Sequence, residues 1–205
     1  MSEPSWTILP TRMKQGRSGC AAVVDYNGDI VITGGYNQDG KILSSIEVFD
    51  THNQMWRPAV SVPPMPIGRS YHSLVALKSG RILVALGGIP ESYGLPSSST
   101  SVELLILENH GNPRQWIPMP SMQFARSCFG VFATITATKP GILVVGGMGV
   151  RHEPLDTMEF LQEPSEEDLF NCTLAQSFPS QETVIGHRVP HEHPSGPNHG
   201  VDSTP

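Results

Sequence analysis

The run "VITGGYNQDG" fills residues 31–40 and decides how the chain is read. Val31, Ile32 and Thr33 are β-branched, the class that fits a pleated surface. They stop at Gly34-Gly35, two residues with no side chain to pack. The same stop recurs at Gly87-Gly88 in "LVALGGIPES" and at Gly146-Gly147 in "LVVGGMGVRH". One glycine serves a turn. Three glycine pairs, each closing an apolar run, point to an internal repeat.

Aligned on these pairs, the chain divides into three units at about 17–56, 69–116 and 126–161. Each reads as strand, tight turn, strand, glycine pair, longer loop, strand, turn, strand. The turns "YNGD", "KSG" and "TKPG" carry hairpin chemistry. The strands before the glycines, "IVIT", "ILVAL" and "ILVV", are nearly continuous apolar runs, which predicts burial on both faces. The third strands alternate around a glutamate: Ile46-Glu47-Val48, Val102-Glu103-Leu104 and Met158-Glu159-Phe160. That pattern predicts one dry and one wet side. Trp6, Trp56 and Trp116 mark the fourth strands, 50 and then 60 residues apart. No tryptophan follows the third unit. The second unit is lengthened by "IPESYGLPSSST".

An arginine opening the inner strand, Gly-Gly closing the second, apolar-Glu-apolar in the third and tryptophan on the outer strand together resemble the kelch repeat. The resemblance covers about residues 6–162. It implies an all-β fold of kelch-type β-propeller blades, about three of four strands each, in an open or partial ring. The glycines would suit crowded strand ends and the tryptophans would fill space between blades. Propellers usually have ~4–8 blades, so the count falls short. Three accounts are open: a fragment of a larger propeller, an open half-ring, or a homodimer completing a six-bladed ring by exchanging first strands. The first two are preferred.

Residues 1–162 form the expected kelch region, with the Trp6 strand as its N-terminal outer strand, and residues 163–205 a disordered tail rich in Pro, Ser and His. Within the tail, "EEDLFNCTLAQSF" has the makings of a transient helix. The net charge of −6 provides no electrostatic footprint for nucleic acid. No stretch of ~18 apolar residues predicts a membrane span. "MSEPSWTILP" does not look like a secretory signal. Cys20, Cys128 and Cys172 are too far apart for a disulfide framework or a zinc site. An intracellular, cytoplasmic setting follows from these, and the sequon at Asn171 is read as accidental.

No catalytic, metal or cofactor site is expected. The glycine pairs lack the helix and Lys-Ser/Thr that a phosphate loop needs. His187, His191, His193 and His199 are assigned to the solvated tail, and His72 to packing or the channel wall. Glu47, Glu103 and Glu159 recur once per unit, which argues for a structural role. The resemblance places Arg17, Arg69 and Arg126 near the channel mouth, where a guanidinium fork suits an acidic ligand. These three, with neighbours Ser18, Ser70, Tyr71 and Ser127, are the candidate partner-binding residues. The expected function is a protein–protein interaction module or adaptor, and not an enzyme. The alternatives are a kelch-like enzyme or sugar-binding protein of the copper oxidase or mutarotase type, or a truncated product without independent function. Tyr26, Tyr36, Tyr71 and Tyr93 form no recognisable copper arrangement with Cys20 or Cys128.

Overall fold

The computed structural model describes residues 3–91, 97–107, 114–134 and 140–175. Three antiparallel sheets follow one another along the chain. The first blade is β1 (Ala21–Val24), β2 (Ile30–Thr33), β3 (Ile46–Asp50) and β4 (Met55–Trp56), side by side in that order. The second contains β6 (Ser73–Leu77), β7 (Ile82–Leu86), β9 (Val102–Ile106) and β10 (Trp116–Pro118) in the same arrangement. A short ladder of β5 (Arg69–Ser70) with β8 (Ile89–Pro90) extends it at the glycine end. The third holds β11 (Gly130–Thr134), β12 (Gly141–Val145) and β13 (Met158–Gln162). The expected all-β blades are therefore present, two with four strands and one with three.

Local chemistry closes the hairpins. In the first, Asp25 Oδ1 accepts the N–H groups of Asn27 (2.8 Å) and Asp29 (2.9 Å), and Gly28 takes φ 80°. In the second, Gly80 at φ 88° lies hard against the first turn, where an added Cβ would come within 2.5 Å of the Asp25 carbonyl carbon. Most of the third turn lies outside the described residues.

Two apolar clusters glue the blades face to face. Val31, Ile46 and Val48 of the first blade meet Leu74, Leu83, Ala85 and Leu105 of the second. Val75, Val84, Leu86 and Leu104 on its other face meet Ile142 and Val144 of the third. This decides how the strand patterns resolve. All five residues of β7 are buried, as a continuous apolar run predicts. In β9 the expected wet side is also dry, and even Glu103 is buried, because this blade has a neighbour on each face. β2 and β12 bury one face and half-expose the other, having a neighbour on one side only.

Two expectations meet a different arrangement. Trp6 belongs to no strand and is fully exposed, and among the described residues β13 carries no outer strand. Past residue 162 the chain remains built: α1 (Glu166–Ala175) starts at a capping box in which Ser165 Oγ accepts the Asp168 N–H (3.1 Å) and Asp168 Oδ2 accepts the Ser165 N–H (2.9 Å). Leu169 buries into the cluster between blades two and three, and Lys78 pairs with Glu163 and Glu166. The rest of the expected tail, with its four histidines, lies outside the described residues. No helix among the described residues is long and apolar enough to cross a membrane.

Candidate functional site

Each arginine lies inside its own blade. Arg17 Nη1 donates to the carbonyls of Gly34 (2.9 Å) and Ser45 (3.1 Å), and Nη2 meets Glu47 Oε1 at 2.6 Å. Arg126 repeats this with Gly146 (2.6 Å), Thr157 (3.3 Å) and Glu159 (2.6 Å). Arg69 donates to Gly87 (3.2 Å) and pairs with Glu103 at 2.5 Å. All three side chains are at most 1% exposed. Glu47 also accepts the N–H groups of Lys14 and Gln15, and Glu159 those of Gln123 and Phe124, tying the incoming link to the third strand. Arginine, glutamate and the first glycine carbonyl thus form one buried lock per blade. The expected acidic ligand of the arginines is replaced by the chain's own glutamates.

The serines after the arginines divide. Ser70 and Ser127 are buried, and Ser127 accepts a hydrogen bond from Ser98 Oγ (3.1 Å). Ser18 is exposed and exchanges two backbone hydrogen bonds with Tyr36. The next residue is the informative one. Gly19, Tyr71 and Cys128 occupy the same place in their units, all at positive φ (62°, 53° and 52°). They are stitched in series: the Tyr71 N–H donates to the Gly19 carbonyl (2.7 Å), and the Cys128 N–H to the Tyr71 carbonyl (2.9 Å). The left-handed region is costly for a tyrosine. Tyr71 holds it with its ring over Gly19 and its hydroxyl donating to Tyr36 Oη at 3.3 Å. The Tyr36 hydroxyl is drawn below the ordinary phenol range by hydrogen bonds from Ser18 and Tyr71, and that of Tyr71 is raised by the hydrogen bond to Tyr36.

Beside this pair a cleft of about 510 Å³ opens between the link before β1 and the loop after Gly35, lined by Lys14, Gln15, Ser18, Tyr36, Asn37 and Asp39 among others. Asn37 Oδ1 folds that loop by accepting the N–H groups of Asp39 (3.0 Å) and Lys41 (2.9 Å). Among the described residues no three His, Cys, Asp or Glu side chains converge as a metal cluster would require. Of the sequence candidates, Arg17 and Ser18 line this cleft, and Tyr71 stands beside it through its hydrogen bond to Tyr36. Tyr36, Asn37 and Cys128 are additions that the sequence signalled only by their fixed offsets from the glycine pairs and arginines.

Residues 16–65 match the kelch motif, and that segment runs from the first lock to the link into the second blade. The chain thus carries a kelch motif in its first blade. Its blades superpose on the solved structure of YjhT with a TM-score of 0.60 at 15% identity, over 78% of this chain and 47% of that one. The chain therefore spans about half the length of that protein, and the likeness concerns the fold alone. No curated protein matches it in sequence.

Proposed function

We infer that this kelch chain is a protein-binding module and that the surface around Tyr71 receives a segment of the partner. The observation that carries this reading is the backbone of Tyr71. A bulky side chain is kept at φ 53°, where its first-unit counterpart is glycine, and its ring stands 38% exposed. Strain of this kind clusters at functional sites. Tyrosine is also a favoured interface anchor, amphipathic and stiff. The adjoining cleft supplies Lys14 and Asp39 for polar contacts at its rim. An adaptor role suits these features better than catalysis. The recurrent glutamates are committed to arginine, and His72 is buried and neutral, which leaves them poor acid–base candidates.

Immobilised wild-type and Tyr71→Gly chains, exposed to the same cell extract, test the reading. Glycine relieves the backbone strain, so the variant's stability should stay within about 1 kcal/mol of wild type. Proteins retained by the wild type are expected to be lost from the variant. Identical capture by both, with melting curves unchanged, would sink the assignment.

A further inference from the structure

The two joints between blades use one set of contacts, and among the described residues that set is unmatched at the first and third blades. In each joint the chain entering a blade caps the glycine pair of the blade before it. The Gly35 N–H donates to the Arg69 carbonyl and the Gly88 N–H to the Arg126 carbonyl, both at 2.9 Å. The Arg69 N–H donates to Leu43 and the Arg126 N–H to Ser99, both at 3.1 Å. Met65 and Met122, each four residues before its arginine, bring their terminal methyl groups over Gly34 and Gly87. His72 and Phe129, each three residues after, close the same spot.

The first unit carries a matching plug that enters no socket among the described residues. Met13 stands four residues before Arg17 and Cys20 three after, and Cys20 is exposed. The third unit carries a matching socket that no described residue fills. Among the described residues a Cβ at Gly146 would meet only the Leu155 carbonyl, at 3.4 Å, whereas one at Gly87 would meet Arg126, Phe129 and Met122. The series from Gly19 through Tyr71 to Cys128 likewise ends on a Gly19 N–H and a Cys128 carbonyl without backbone partners among the described residues. The outer faces match too. Phe132 and Phe160 flank Leu143 across the third blade, with Met158 beside Val145. Phe132, Met158 and Phe160 are 58%, 66% and 47% exposed. The first blade's free face offers Ala22, Val24, Ile30 and Ile32.

We propose that a second copy of this chain covers these faces, the Met13–Cys20 plug of each copy entering the Gly146-Gly147 socket of the other. A twofold axis makes both new joints equivalent and closes six blades, within the usual propeller range. The occupant is a second copy because plug and socket are the halves of a joint this chain makes twice internally. The span also agrees, since one copy covers 47% of the YjhT chain. Exposed Trp6 and Ile8 then reach the bare edge of the partner's β13 as its missing outer strand. The surface around Tyr71 lies within one copy, so the proposal does not depend on the reading of function.

Sedimentation velocity on the purified 205-residue chain decides it. The expected species is a dimer of twice the 22.2 kDa chain mass. Met13→Asp, at a half-buried position outside both internal joints, should sediment as a monomer with an unchanged β-sheet spectrum. Mass-spectrometric mapping of alkylation gives a second readout on wild type alone: Cys20 should react several-fold more slowly as protein concentration rises. A monomer at every concentration, open-ended polymers, a dimer indifferent to Met13→Asp, or a Cys20 rate independent of concentration would each overturn the proposal. A monomer would mean that the faces are covered by a different polypeptide.

Discussion

His72 sits 6% exposed between the first two blades, with Nε2 2.8 Å from Thr33 Oγ1. Burial, helped by the nearby Arg69 charge, pushes its pKa down from 6.5 to about 3. The unfolded chain therefore binds a proton that the folded chain refuses between those values. Stability from this group is complete above pH 6.5 and is lost as pH falls toward 3, with about 2 kcal/mol gone by pH 5. Urea midpoints measured from pH 7.5 to pH 5 should fall accordingly, and His72→Gln should flatten the slope. Nothing in "SYHSLVAL" signals this, because the main cause of the depressed pKa is burial, which depends on the neighbouring blade and not on adjacent residues. Arg69 teaches a related lesson. Its recurrence was legible, but its direction was not. The guanidinium turns inward because Glu103 waits 34 residues away on a strand of the same blade. Arg69→Met would leave Glu103 buried and unpaired, at a cost of about 3–5 kcal/mol, and the added change Glu103→Leu should recover most of it. Chemical denaturation of the two variants checks the order.

At the level of elements, the glycine pairs act as sockets, and whether a socket is filled sets the cost of altering it. A methyl at Gly87 would lie 2.5 Å from the Arg126 carbonyl oxygen, on backbone that cannot retreat. Gly87→Ala should therefore cost on the order of 3–4 kcal/mol in steric conflict and backbone strain together. At Gly146 the nearest atom is at ordinary contact distance, so Gly146→Ala should cost only about 1 kcal/mol, from its φ of 63°. Unfolding of dilute samples, where single chains dominate, measures that difference. The strands themselves were readable from their runs and turns. Trp6 was not, because a lone aromatic strand needs an edge to pair with. The sequence marks α1 only as a transient helix, because its docking through Leu169 depends on blades formed earlier in the chain.

For the whole molecule, a linear stack predicts graded stability. Repeat arrays are held by neighbour contacts, so the blade with two neighbours should open last. Amide exchange should be slowest in β7, buried throughout, and faster in β1 and β13 when the protein is dilute. Raising the concentration should slow exchange on the two end blades and leave β7 unchanged. Uniform protection at all concentrations would contradict both the gradation and the dimer.

The sequence alone determined the repeat, the blade type, the ends of the strands and the residues that recur in every unit. Those features are local: apolar period, turn chemistry and fixed offsets from Gly34-Gly35, Gly87-Gly88 and Gly146-Gly147. Only the tertiary structure decided that the arginines face inward, that Tyr71 stands strained beside Tyr36, and that among the described residues one plug and one socket have no partner. Each of those depends on distant residues, and on whether a neighbouring blade is there to meet them.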